Sequence, residues 1–281
     1  MSVQYAQYVR RDLAENFPEL PSDLHHSVLE VERRIVHSGI AKKIAVFDFD
    51  NTLIIGDIGD SVFAALKLHG YLPGIGWEKY RRLLNTNKAE AYCLAVTSMS
   101  GLSERTIEKV TLDVLSRRTP YQELENSFIP IPFPHPVMVQ LVSYLRSIEY
   151  QVHVISASNE ISVRIAAWRL FEIPPCNVYG IRQRQKNGFL TDELLAPLPI
   201  GKGKVEVYRE FVGEVDPVIT GGDSFLDIPM LQLTDPRGLA LWVGEDKVNF
   251  EIVRRKLLPS SGVQFLQRPS PSEVDEESSD D

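Results

Sequence analysis

The sequence predicts an α/β protein, an open parallel sheet with helices on both faces, interrupted by an inserted α-helical subdomain. Three observations carry this prediction. Short apolar runs recur at residues 44–47, 151–155, 177–181, 218–220 and 239–243. They have strand length and polar or turn residues at their ends. After the second run, helical patterns alternate with them, which is the signature of parallel strands joined by crossover helices. Finally, about a hundred residues without a strand signal separate the first run from the second, too many for a simple crossover.

Residues 2–38 read as two helices divided by Pro18 and Pro21. In the second, Leu24, Val28, Val31 and Ile35 repeat at helical spacing. His25, His26 and His37 lack the carboxylate company of a metal site and read as surface or interface residues. The run 44–47 ends in Asp48, Asp50, Asn51 and Thr52. The insert begins with Asp60 and Ser61 as a helix cap and continues through helices at 77–84, 88–99 and 103–115, the last opened by Ser103. Trp77 and Cys93 read as packing residues of this insert. Pro130, Pro132, Pro134 and Pro136 mark its return to the sheet. A helix at 137–148 and the strand at 151–155 follow, with His153 as a core residue. Ser156 to Asn159 lead into a helix at 160–170, where free backbone N–H groups favour an anion and Ser158 is placed to cap. Asn187-Gly188 turns a hairpin over 182–190. A helix at 205–211 follows Gly201-Lys202-Gly203-Lys204. The strand at 218–220 runs into Gly221-Gly222-Asp223-Ser224-Phe225-Leu226-Asp227; a helix starting at Ser224 puts Asp227 one turn inside it. The last helix is 248–257. Residues 268–281 hold six acids, four serines and two prolines, the composition of a disordered tail. The domains are therefore 1–40, N-terminal helices; 41–56 and 130–258, core; 57–129, helical cap; and 259–281, acidic tail.

Composition narrows the function. With 281 residues, 43% of them hydrophobic, a sizeable core can form. A net charge of −8 speaks against nucleic acid as a partner. No apolar run is long enough to span a membrane, and no secretory signal stands at the start. Two distant cysteines, Cys93 and Cys176, fit a reducing compartment, so a cytoplasmic location is expected. Oligomeric state is not legible.

The chemistry is carried by three strand ends. Alternation along an extended segment lets Asp48 and Asp50 point to one side. Two adjacent carboxylates repel unless a cation or proton intervenes, which suits a hard divalent metal beside a nucleophile. Asp223 and Asp227 bring further carboxylates and Ser156 a hydroxyl. A lysine precedes the third strand. Cations that neutralise a phosphate let an anionic nucleophile approach it, and a second carboxylate serves as acid and base.

These motifs resemble those of the haloacid-dehalogenase-like phosphatases, and within them the phosphoserine-phosphatase-like branch, over residues 42–243. They are Asp48-Phe-Asp50-Asn-Thr52, Ser156 in Ile-Ser-Ala-Ser, Lys202 in Gly-Lys-Gly-Lys, and Gly-Gly-Asp223-Ser-Phe-Leu-Asp227. The resemblance implies a Rossmann-like sheet with a helical cap of the type inserted after the first motif. It implies Asp48 as nucleophile and Asp50 as acid/base. Asp48, the Asp50 backbone carbonyl, Asp223 and Asp227 would hold Mg²⁺. Thr52, Ser156 and Lys202 would bind phosphate, with Lys204 as the alternative lysine; they stand 21 and 19 residues before Asp223. Asp57, nine residues after Asp48, matches an acid that reads a substrate ammonium. The expected substrate is a small phosphorylated metabolite, phosphoserine-like or another amino-alcohol phosphate. A phosphotransferase or phosphomutase keeping the same intermediate, and a non-catalytic phospho-ligand binder, are the alternatives.

Overall fold

The computed structural model describes residues 20–269 except 37–39, 41, 75, 118, 120, 246 and 258–261. The first expected helix therefore lies outside the described residues. Helix α1 (Ser22–Val36) buries Leu24, Val28, Val31 and Ile35, the four residues of its apolar repeat. Strand β1 (Ile44–Phe47) is buried throughout. Ala45 and Phe47 pack on one face with α1, and Ile44 and Val46 on the other. A strand covered on both faces reads as a continuous apolar run, which explains the absence of alternation.

The insert follows a two-residue strand, β2 (Ile54–Ile55). It contains α2 (Ile58–Leu68), α3 (Trp77–Thr86), α4 (Lys88–Thr97) and α5 (Glu104–Ser116). Trp77 and Tyr80 are buried against Phe63, with ring centroids 6.1 and 4.9 Å away. Ser103 caps α5 as expected, accepting from Thr106 N. Two expectations change. Asp57, not Asp60 or Ser61, caps α2, which starts three residues earlier than the cap pattern suggested. The insert is also not purely helical. A hairpin, β3 (Tyr121–Leu124) and β4 (Ser127–Pro130), closes it, and β5 (Phe133–Pro134) pairs with β2. These strands are short, and the hairpin turns on Glu125 and Asn126 at φ 48° and 60°, without the glycine that would have announced it.

Helix α6 (Pro136–Ser147) returns the chain to the sheet, with Pro136 in its first turn. Then come β6 (Gln151–Asn159), α7 (Glu160–Phe171), β7 (Val178–Lys186) and β8 (Phe189–Leu195), the last two joined at Asn187-Gly188. Asn159, not Ser158, caps α7 by accepting from Ile161 N and Ser162 N. His153 is buried as expected, but neither ring nitrogen has a partner; its ring stacks on Tyr179 at 6.1 Å. Short α8 (Gly203–Val207) runs into a wider turn at Tyr208–Val212. After it stand β9 (Ile219–Gly222), α9 (Ile228–Leu231), β10 (Leu239–Gly244), α10 (Val248–Leu257) and β11 (Gly262–Gln267).

The main sheet has the order β11-β10-β9-β1-β6-β7-β8. All neighbours are parallel except β7 and β8. Strand β1 lies between β9 and β6, so the chain leaves it in both directions. A crevice at the carboxyl ends of these strands is where such sheets bind ligands. Strand β11 corrects the expected tail: residues 262–267 pair in register with β10 along its whole length. It is an edge strand with a weak pattern, Gly-Val-Gln-Phe-Leu-Gln, and only Leu266 is fully buried. Residues 270–281 lie outside the described part. Among the described residues no helix is long and apolar enough to cross a membrane.

Candidate active site

Four carboxylates converge at the ends of β1 and β9. Asp48 extends β1 by one residue, donating its N–H to Gly221 O at 2.9 Å. The chain then turns tightly: the N–H groups of Thr52, Leu53 and Ile54 all point to Phe49 O, and Asn51 sits at φ 57°. Asp48, Asp50 and Asn51 thereby line one cavity, together with Asp57, Lys88, Tyr92, Ala157, Ser158, Lys204, Asp223, Ser224, Leu226 and Asp227.

At the end of β9 two glycines make room. A Cβ on Gly221 would lie 2.6 Å from the Phe47 ring, and one on Gly222 would lie 2.5 Å from Asp227 Cβ. Asp227 folds back over Gly222, and its Oδ2 accepts from Ser224 N at 2.9 Å, Ser224 Oγ at 2.8 Å and Asp223 N at 3.3 Å. It stands before α9 rather than one turn inside a helix from Ser224, as the spacing suggested. Carboxylate oxygens of Asp48, Asp223 and Asp227 lie within 4.8 Å of one another. Three hard oxygen donors at that spacing fit Mg²⁺.

Of the two candidate lysines, Lys204 and not Lys202 reaches the carboxylates. Lys202 is exposed, whereas Lys204 is 2% exposed and its ammonium lies 2.6 Å from both Asp48 Oδ1 and Asp227 Oδ1. Gly203 explains the choice: a Cβ there would fall 1.8 Å from Leu198 O. The start of α8 packs so closely on the preceding loop that the next residue, not the previous one, faces the carboxylates. Burial disfavours the Lys204 charge, but Asp227 and Asp48 more than offset this and hold it above the usual lysine range.

Asp50 is tethered differently. Its Oδ1 accepts from Ile58 N at 2.7 Å, and its Oδ2 from Ser156 Oγ at 3.0 Å and Ser158 Oγ at 2.7 Å. The β6–β7 register slips between Ile155 and Asn159, and such an irregularity re-aims side chains. Burial raises Asp50 to about 7, with the Asp57 charge adding and the three hydrogen bonds opposing. Asp48 is also raised to about 7, by burial, against the pull of Lys204. Burial raises Asp223 strongly, Asp227 and Asp48 adding to it.

Two expected phosphate groups stand behind the carboxylates instead of in the cavity wall. Thr52 is fully buried and donates Oγ1 to Asp223 Oδ1 at 3.3 Å. Ser156 is fully buried between Asp50 and Ser158 N. Ser158 lines the cavity in its place, and Gly59 admits it, since a Cβ there would lie 2.6 Å from Ser158 Oγ. Asp57 both caps α2 and lines the cavity, so the two roles are compatible. Burial, then the Asp60 charge, push it up to about 8. Tyr92 and Lys88 reach the cavity from α4, and no local motif announced either one. Ser158 was legible only as a helix cap and as the last residue of Ile-Ser-Ala-Ser.

Comparison with known proteins agrees with this architecture. A protein of unknown function from Bordetella pertussis Tohama I superposes with a TM-score of 0.60 at 14% identity, covering 79% of this chain and 97% of that one. A functionally unknown protein from Anaerococcus prevotii gives 0.56 at 17% identity, covering 79% and 90%. A substrate-bound phosphoserine phosphatase gives 0.52 at 16% identity, covering 84% and 98%. At such identities the likeness is one of fold. No curated protein matches the sequence. The model of one family, haloacid dehalogenase-like hydrolase, matches residues 45–232, and with it the four carboxylates, Lys204 and the insert. The chain belongs to the haloacid dehalogenase-like hydrolases.

Proposed function

We propose that the protein is a Mg²⁺-dependent phosphomonoesterase that hydrolyses a small phosphorylated amino alcohol through an aspartyl-phosphate on Asp48. The observation that carries this reading is the unequal environment of two carboxylates at one strand end. Asp48 is held by an ammonium. Asp50 is held by three neutral donors and, among the described residues, by no ammonium. Like Asp48 it is pushed up to about 7, but with no cation fixing it as a carboxylate it is the one poised to act as both acid and base.

Asp48, Asp223, Asp227 and the backbone carbonyl of Asp50 would hold Mg²⁺, which supplies charge neutralisation of the phosphate. Lys204 would bind phosphate oxygens, and the Ser158 hydroxyl, which lines the cavity, would turn to them when Asp50 carries its proton. Thr52 orients Asp223, and Ser156 orients Asp50. The Asp48 carboxylate attacks phosphorus, and the bond from phosphorus to the alcohol oxygen breaks. Asp50 gives its proton to that oxygen, and the alcohol leaves. Asp50, now a carboxylate, takes a proton from water. The water oxygen attacks phosphorus, the Asp48–phosphate bond breaks, and inorganic phosphate leaves with Asp50 protonated again. Asp57, pushed up to about 8 in the free protein, would give up its proton beside a substrate ammonium and hold it, with Tyr92 as an aromatic neighbour in the cavity wall. The same chemistry accommodates phosphoserine, phosphoethanolamine and phosphocholine.

The test is phosphate release from an aryl phosphate and from a panel of phosphoserine, phosphoethanolamine, phosphocholine and sugar phosphates, with Mg²⁺ and with chelator. Release that needs Mg²⁺ and falls at least about 10³-fold in Asp48→Asn is expected. Release that survives chelation or the substitution overturns the reading.

A further inference from the structure

A residue of the expected tail, Arg268, returns to the site. It directly follows β11, and its N–H donates to Gly244 O at 2.8 Å, continuing the pairing with β10. Its guanidinium bridges three loops. One arm donates to Asn51 O at 2.9 Å, within the turn that carries Asp48 and Asp50, and lies 3.7 Å from Asp223 Oδ2. The other donates to Glu245 Oε1 at 2.9 Å. The side chain is only 14% exposed. The strand is itself fastened beside it, where the buried His135 ring meets Gln267 O at 3.3 Å. Arg268 is thus a fixed cation on the opposite oxygen of Asp223 from Thr52. Lys204 serves Asp48 and Asp227 in the same way.

We propose that Arg268 is a positioning residue that sets the electrostatic balance of the site, weakening its hold on a cation and strengthening its hold on an oxoanion. This rests on the reading of Asp48, Asp223 and Asp227 as a Mg²⁺ site. A fixed positive charge next to one ligand repels an incoming dication and attracts an incoming phosphate dianion, and both effects are sizeable where water is largely excluded. One guanidinium nitrogen holds the Asn51 carbonyl and lies beside Asp223, so position and charge are both at stake. The two functions separate experimentally. Loss of position loosens both ligands, whereas loss of charge moves them in opposite directions.

The experiment is calorimetric titration of the full chain with Mg²⁺ alone, then with inorganic phosphate at saturating Mg²⁺. In Arg268→Gln, which keeps a donor but removes the charge, Mg²⁺ should bind several-fold tighter and phosphate several-fold more weakly. Arg268→Lys should restore both affinities to within about threefold of wild type. If both ligands weaken together, or neither moves, the proposal is overturned. Should Arg268→Gln not fold, Arg268→Lys still decides it, since a loss of phosphate affinity with the charge retained contradicts an electrostatic role. Asp223→Asn separates the two levels. Undiminished Mg²⁺ binding there refutes the metal site itself. Its loss there, with an inert Arg268→Gln, refutes only the role of Arg268.

Discussion

Two groups of acids meet at one cavity, Asp48, Asp223 and Asp227 on the core side and Asp57, with Asp60 behind it, on the cap side, and they are partnered in different ways. On the core side, Asp48 and Asp227 share Lys204, and Asp223 has Arg268. On the cap side, Asp57 accepts from Asp60 N at 2.9 Å and Asp60 from the Tyr80 hydroxyl at 2.5 Å. Among the described residues no ion pair reaches either of these two. Arg81 and Lys88 act on Asp60 only at longer range. Burial raises Asp60 to about 6 and Asp57 to about 8, and it raises Asp48 to about 7 even against Lys204. The difference teaches a division of labour. Chemistry common to any phosphomonoester is served by cations built into the core. On the cap side Asp57 holds a proton near neutral pH, which a substrate ammonium can displace by stabilising the carboxylate, so selectivity and stability are set there against each other.

The largest break in this comparison comes from removing the core cation. Lys204→Met leaves Asp48 and Asp227 buried without their shared partner, and stripping one member of a buried pair costs about 3–5 kcal/mol. Urea denaturation in chelator should show that loss, and saturating Mg²⁺ should recover part of it, because a ligand that binds only the folded state adds about 2.7 kcal/mol at a hundredfold excess over Kd. Lys202→Met is the control. An exposed lysine without such contacts should shift stability by no more than about 0.5 kcal/mol and leave turnover unchanged. A large effect at Lys202 with none at Lys204 would reverse the assignment made from the structure.

That assignment also marks where the sequence becomes unreadable. The acids at strand ends were legible because an apolar run stopping at Asp48 or Asp223 has few other meanings, and the parallel sheet was legible from strand–helix alternation. Lys202 and Lys204 could not be separated by spacing, because the deciding contact is between Gly203 and Leu198 O, a tertiary approach. Ser158 lines the cavity wall in place of Ser156, at a stretch where the β6–β7 register shifts, a tertiary feature the sequence does not carry. The weak edge strand β11 carries no periodicity of its own, and Arg268 stands 217 residues from Asn51. Nothing local could announce that pairing, and the acidic composition after it concealed the strand. The β3–β4 hairpin was hidden in the same way, by a turn of Glu125 and Asn126 rather than glycine.

A smaller change sharpens the comparison from the cap side. Asp57→Asn keeps the helix cap, since asparagine caps as well as aspartate, and removes only the charge. Turnover of an aryl phosphate without an ammonium should be little altered, while kcat/KM for phosphoethanolamine or phosphocholine falls by about 10–100-fold, the range for losing one ion pair in a partly closed site. Stability should move the other way. In the unfolded chain Asp57 titrates near 4, and in the folded protein at about 8. Between those values the folded state binds the extra proton. The contribution of Asp57 is therefore fully present below about pH 4 and is lost as pH rises through 8. The asparagine variant lacks this slope, so its advantage over wild type should grow between pH 5 and pH 8, by on the order of 2 kcal/mol after screening by solvent. Parallel denaturation curves for the two proteins across that interval would show the cap-side charge to be stability-neutral and so remove the contrast with the core. Divergence with rising pH, together with selective loss of the ammonium substrates, would place the cost and the use of that charge on one residue.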